Sequence, residues 1–174
     1  MSNIDSLTSL TLSFEPLQPK DFATLRALAD CIWKVHYPGI ISMEQIEFML
    51  ERNFNDDKIL LELSQGFIYE LMILNGEAVG YTAYRFETES QRVFLSKMYL
   101  LVELHGKGLG QQALSHVLAY AKEQHASSVY LFVNKKNEKA ILAYQRFGFK
   151  KNRELITQIG GGFVMDDFEM TFQF

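Results

Sequence analysis

The chain has 174 residues, 48% hydrophobic and 22% charged, the balance of one soluble globular domain with a sizeable core. Its formal charge of −4 speaks against general nucleic-acid binding, which needs a basic face, and permits a cationic substrate. Cys31 is the only cysteine, so an intrachain disulfide and a cysteine-based zinc cluster are excluded. The histidines, His36, His105, His116 and His125, lack metal-ligand spacing such as HExxH, so no metal is expected. No run of about 18 apolar residues suggests a membrane span, and the N-terminus lacks a basic region followed by an apolar one. The expectation is a cytoplasmic protein that binds neither membrane nor nucleic acid.

In chain order, Met1–Ser9 is polar and expected to be loose. Leu10, Leu12 and Phe14 alternate with polar residues, which predicts a strand ended by Pro16. A helix is predicted from about Asp21 to His36, with Leu25, Leu28, Ala29, Ile32 and Trp33 on its apolar face, broken by Tyr37-Pro38-Gly39. Ser42 followed by Gln45 resembles a capping box for a second helix. Asn55-Asp56-Asp57 caps a third, Lys58–Ser64, which stops at Gly66. The texture then turns β-prone. Phe67–Leu74 and Val79–Phe86 flank the hairpin signal Asn75-Gly76, and Val93–Val102 adds a third strand to an antiparallel meander.

That third strand runs into a glycine-rich turn, Glu103 to Gly110, and then into a helix with Leu109, Ala113, Leu114, Val117, Leu118 and Ala121 on one face. The next strand, Ser128–Val133, implies a parallel pair with a crossover. A short helix carries Ala140, Ile141, Tyr144 and Phe147 and ends at Gly148. Phe149–Ile159 and Phe163–Phe172 form a closing hairpin around Gly160-Gly161-Gly162. The predicted class is α+β: a mixed, mostly antiparallel sheet with helices on both faces.

A strand, a glycine turn and a helix can aim unpaired backbone N–H groups at an anion. Glycines also occur between strand and helix for backbone reasons alone. A Walker loop, GxxxxGK[ST], is absent; a dinucleotide GxGxxG would need glycine at Gln111, and no acidic residue lies in the Tyr130–Val133 region. Two further strings, taken together, resemble the GNAT acetyltransferases. His105-Gly106-Lys107-Gly108-Leu109-Gly110 follows the family pattern Q/R-x-x-G-x-G/A, with His at the first position as a departure. Downstream, Asn137, Ala140, Tyr144 and Gly148-Phe149 have the family's order and spacing. The resemblance spans roughly Phe67 to Phe174. Trp33, Tyr37, the Ile40–Leu50 stretch and Gly160–Met170 resemble the PaiA-like branch, several of whose members acetylate spermidine and other polyamines.

The resemblance implies the GNAT fold, with a bulged strand that splays from its parallel neighbour. It implies that backbone groups of Met98, Tyr99 and Leu100 hold the pantothenate arm of acetyl-CoA as an added strand would. The N–H groups of His105, Gly106, Lys107, Gly108, Leu109, Gly110 and Gln111 would hold the pyrophosphate. Lys107 adds positive charge or is a solvated loop lysine, and Asn137 bonds the pantetheine arm, caps its helix, or both. Tyr144 matches the family's general acid to the leaving thiolate; a phenol of pKa ~10 stays protonated at neutral pH and can donate. A packed helix tyrosine is the plainer alternative. Glu70, Glu103, His36 or solvent could take the amine's proton, and none is singled out. Trp33, His36 and Tyr37 are the expected acceptor pocket, an aromatic wall suited to a cationic amine, unless Trp33 is core. The expected activity is direct acetyl transfer to a primary amine, with a polyamine as the leading substrate and no metal; the alternative is an acyl-CoA-binding module without turnover. A homodimer stays open.

Overall fold

The computed structural model describes residues 10–174, so the expected loose run Met1–Ser9 lies outside the described residues. A short strand, β1 (Ser13–Pro16), comes first, and Pro19 opens a 3-10 turn into α1 (Phe22–His36). Helix α1 buries Phe22, Leu25, Leu28, Ala29, Ile32 and Trp33, the stripe that helical spacing dictates. It ends where Pro38 lacks an N–H donor and Gly39 turns the chain at φ +86°. Helix α2 (Met43–Phe54) starts on Ser42, whose hydroxyl accepts the Gln45 N–H at 3.1 Å. Only that half of the expected capping box forms. The Gln45 side chain donates instead to the Val164 carbonyl at 3.0 Å, across the molecule. Helix α3 (Asp56–Ser64) begins earlier than expected, because Asn55 alone caps it by accepting the Lys58 N–H at 2.9 Å. Asp56 and Asp57 then lie in the first turn, where the helix dipole favours carboxylates.

The period then changes to two. Strands β2 (Ile68–Leu74) and β3 (Glu77–Glu87) join through Asn75 and Gly76 at φ +53° and +83°, the left-handed pair that a type I′ hairpin turn requires. Strand β4 (Arg92–Leu100) completes the meander. There follow α4 (Leu109–Glu123), β5 (Ser128–Asn134), α5 (Glu138–Phe147), β6 (Lys150–Gly160) and β7 (Phe163–Gln173). The sheet order is β1-β2-β3-β4-β5-β7-β6. Only β4 and β5 are parallel, with α4 as their crossover; every other pair is antiparallel.

Alternation along the strands divides the core between the two faces. Tyr69, Leu71, Tyr81 and Ala83 pack with α1, α2 and α3, whereas Val93, Val129 and Leu131 pack with α4 and α5. This is the predicted α+β arrangement, with helices on both faces.

One buried ion pair fastens α3 to the sheet. Lys97 Nζ lies 2.8 Å from Glu62 Oε2, with both side chains 9% exposed. The Tyr69 hydroxyl donates to the same carboxylate, and Lys58 approaches it at 3.0 Å. Burial pushes the Glu62 carboxyl up, but Lys97, Tyr69 and Lys58 more than offset this and hold it below the ordinary carboxylate value. Removing one partner strands a buried charge. Glu62→Leu is expected to cost about 3–5 kcal/mol in urea denaturation, and the double variant Glu62→Leu/Lys97→Met to recover most of that loss.

Candidate active site

Strands β4 and β5 run side by side only through the pairs Arg92–Ser128, Val93–Val129 and Phe94–Tyr130. Just beyond, the β3 register skips Ser96: Tyr84 opposes Leu95 and Ala83 opposes Lys97. A bulge of this kind bends and twists its strand. From Met98 to Leu100, β4 pairs with β3 alone, so its other backbone edge is turned toward the gap that opens between β4 and β5.

At the end of β4 a 3-10 turn, Val102–Leu104, leads into the glycine turn. Gly106 and Gly108 adopt φ +77° and +80°, values that glycine reaches without strain. The His105 N–H donates to the Val102 carbonyl and the Gln112 N–H to that of Gly108. Among the described residues, no protein group accepts the N–H groups between them, from Gly106 through Gln111. They sit at the N-terminus of α4, the positive end of its dipole. A Cβ placed on Gly106, Gly108 or Gly110 would meet no atom within 4 Å, so there is open space in front of these donors. Lys107 is exposed beside them. The His105 ring, the departure from the family pattern, donates through Nε2 to the Leu100 carbonyl at 3.1 Å and ties the turn to β4.

Three tyrosines converge from different elements. Tyr37, at the end of α1, and Tyr99, on β4, share a hydroxyl–hydroxyl hydrogen bond of 2.9 Å. Burial pushes the Tyr37 phenol up to about 12. Tyr144, on α5, is pushed above the ordinary phenol value by burial and then by Tyr37. Its ring packs on Phe149 at 5.6 Å, and among the described residues its hydroxyl bonds no protein group. All three phenols are therefore protonated at neutral pH. Trp33 stands behind this group rather than at a surface. It is buried, its indole N–H donates to the Tyr81 hydroxyl at 3.0 Å, and its ring lies 4.8 Å from Tyr37 and 5.5 Å from Tyr99. The structure thus gives it the core alternative: it braces the wall.

Asn137 uses both ends of its amide internally. Its oxygen caps α5 by accepting the Ala140 N–H at 3.4 Å, and its Nδ2–H donates to His36 Nε2 at 3.1 Å. His36 in turn lies 6.3 Å from the His105 ring. Burial, then His105 and Lys139, push the His36 imidazole below its ordinary value, so it is neutral and can accept that bond. Of the other proton acceptors considered, Glu70 is held by the Tyr84 hydroxyl at 3.1 Å and His116 Nε2 at 2.9 Å, and Glu103 is exposed on the 3-10 turn.

The sequence reading missed one cavity. About 470 Å³ lies between the α1–α2 connection (Gly39, Ile40, Ile41, Ser42), Asn134 at the end of β5, and Val164 and Asp166 of β7. Its walls come from three distant segments, and the one local signal is the adjacent acidic pair Asp166-Asp167 on β7. Among the described residues, no His, Cys, Asp and Glu side chains group as metal ligands, and no helix is long and apolar enough to cross a membrane.

The pattern of the Acetyltransferase (GNAT) family matches residues 27–149. The chain belongs to the GNAT family. It is 38% identical over 141 residues to an uncharacterized N-acetyltransferase of Mycobacterium tuberculosis, covering 80% of this chain and 90% of that one. It is 32% identical over 97 residues to the spermine/spermidine N(1)-acetyltransferase of Bacillus subtilis, 52% of this chain and 60% of that one. In fold it resembles the PaiA N-acetyltransferase of Thermoplasma acidophilum, solved in complex with coenzyme A. The TM-score is 0.79 at 22% identity, over 94% of this chain and 99% of that one.

As a GNAT enzyme it is an N-acetyltransferase that takes its acetyl group from acetyl-CoA. The glycine turn suits that cosubstrate: unpaired N–H groups, a positive helix end and open space fit a pyrophosphate. Gly110 allows a clean test, because it lacks the positive φ of Gly108. Gly110→Asp puts a carboxylate in the first turn of α4, which the dipole tolerates, but directs it toward the same N–H groups. The expected result is unchanged or higher thermal stability with CoA affinity at least ~tenfold weaker by calorimetry, a loss of ~1.4 kcal/mol.

Proposed function

We propose that this GNAT enzyme acetylates a primary amine of a polyamine by direct transfer, with Tyr144 as general acid, in the cytoplasm. The observation that carries the reading is the Tyr144 hydroxyl. It is protonated, bonds no protein acceptor among the described residues, and lies in the electrostatic reach of Tyr37 and of Tyr99 on β4. Acetyl-CoA supplies an activated thioester carbonyl and a thiolate leaving group. Backbone groups of Met98, Tyr99 and Leu100 hold the donor's arm along the open edge of β4. The N–H groups from His105 to Gln111, with Lys107 beside them, hold the pyrophosphate. Tyr144 then gives its proton to the departing sulfur, and the raised pKa keeps that proton in place until it is needed.

On the acceptor side, His36 and Tyr37 border the site and Trp33 braces Tyr37. His36 also positions Asn137, so Asn137 acts as a strut between α1 and α5. A polyamine is supported by the likeness to the spermine/spermidine enzyme of Bacillus subtilis. The lone cysteine, Cys31, is exposed on α1, which agrees with transfer that needs no covalent thiol intermediate.

A coupled thiol-release assay with acetyl-CoA and a panel of amines tests the reading. Spermidine and spermine are expected to give the highest kcat/KM, and a clear preference for a peptide N-terminus would reject the polyamine assignment. Tyr144→Phe is expected to lower kcat roughly 10²–10⁴-fold with CoA affinity nearly unchanged. Undiminished turnover would remove Tyr144 from the chemistry.

A further inference from the structure

Asp167 is 7% exposed on β7. Its Oδ1 is the one buried side-chain polar atom among the described residues that has no hydrogen-bond partner. A buried carboxylate oxygen left unpaired is destabilising, so it marks a place where a ligand donor is missing. The surroundings supply none. From α1, Tyr37 lies close enough for the Asp167 charge to raise its phenol, but the Tyr37 hydroxyl is bonded to Tyr99. On β7, Asp166 adds a like charge. From the β5–α5 connection, Lys135 is bound to Asp166 at 2.6 Å and Glu154 at 2.8 Å. On β6 the register partner is Leu155, which is apolar. On β5 the partner is Asn134, whose side-chain oxygen accepts the Lys136 N–H.

Cross-strand partners project from the same face of a sheet. Asn134 and Asp166 line the 470 Å³ cavity, so Asp167 adjoins that lining both in register and in sequence, and its charge reaches the Tyr37 phenol.

We infer that Asp167 binds the ammonium of the acceptor amine and takes one of its protons, acting as the general base of the transfer. The inference rests on the acetyltransferase reading. Moving the proton from nitrogen to carboxylate neutralises both charges, which lowers the desolvation cost of each in a buried pair. The nitrogen lone pair then forms the C–N bond and the C–S bond breaks. The second nitrogen proton reaches sulfur through Tyr144, which gives its proton and regains one. The proton on Asp167 passes to water, so an ammonium and a thioester become an amide, a thiol and one released proton. Burial raises the Asp167 carboxyl to about 6, with Asp166 adding to the rise and Lys135 opposing it. An acid whose pKa is raised to this value is still ionised above it, so the base is present at neutral pH and lost as pH falls through about 6.

The test compares wild type with Asp167→Asn, using spermidine and saturating acetyl-CoA across about pH 5 to 10. Wild-type kcat/KM is expected to rise tenfold per pH unit and level off above about 6. Asp167→Asn is expected to lose roughly 10²–10⁴-fold at neutral pH and to lack that limb, with activity climbing instead toward the pKa of the amine. Calorimetry of spermidine on the CoA-loaded enzyme, which cannot turn over, is expected to show at least ~tenfold weaker binding in the variant, with CoA affinity unchanged. A variant that is slower yet keeps the wild-type limb would overturn the inference, as would unchanged spermidine binding. Carboxyl NMR of wild type labelled at aspartate needs no variant to fold: the Asp167 resonance is expected to titrate near 6 and to shift on adding spermidine to the CoA complex. A resonance indifferent to spermidine also overturns it. Absence of thiol release from wild type with every amine would instead defeat the acetyltransferase reading, and the calorimetry and NMR still decide whether Asp167 is an ammonium site.

Discussion

The parting of β4 and β5 is the constraint on which the rest of the structure depends. Two parallel strands normally satisfy each other's backbone groups along their length. Here the register holds only from Arg92 to Phe94, and the bulge at Ser96 then turns β4 away. An open backbone edge thus lies in the centre of the sheet, where a ligand can be sandwiched. At the rim it would invite another chain. The cores on the two faces stabilise this arrangement without those missing hydrogen bonds. α1 braces one side through Trp33 and Tyr37, and α4 and α5 hold the other through Val117 and Ile141.

The electrostatics around the gap are graded. At the head of α4, unpaired N–H groups and a helix dipole favour an anion. In the middle, burial keeps the phenols of Tyr37, Tyr99 and Tyr144 protonated. On the far side, β7 brings Asp166 to the cavity, and burial raises the carboxyl of the neighbouring Asp167 to about 6. The helix end thus favours an anion, while the cavity carries both signs of charge, Asp166 being paired with Lys135 at 2.6 Å. The same burial keeps the phenols protonated at neutral pH and brings the Asp167 carboxyl closer to it.

Much of this was legible in the sequence because it depends on local backbone chemistry. The I′ turn at Asn75-Gly76, the left-handed glycines at Gly106 and Gly108, the caps at Ser42 and Asn55, and the buried stripe of α4 follow from rules that act within a few residues. The parallel β4–β5 pair follows from strand, helix, strand order. The GNAT resemblance, carried by His105–Gly110 and Asn137 to Phe149, added the splayed strand to this local reading.

What the chain order could not specify is which distant side chains answer one another. The Gln45 side chain reaches Val164 rather than closing its own capping box, because β7 presents a carbonyl there. Trp33 has the amphipathic position of either a pocket wall or a core residue, and only Tyr81 on β3 decides for the core. The same holds for the pairing of His36 with Asn137, which lie 101 positions apart, and for the isolation of Asp167, since a missing partner is visible only once all neighbours are placed. By itself the sequence determined the elements, the glycine turn and the family, because each is set by short-range spacing. The tertiary structure alone decided burial, hydrogen-bond partners and proton affinities, because these depend on which segments the sheet brings within a few ångströms.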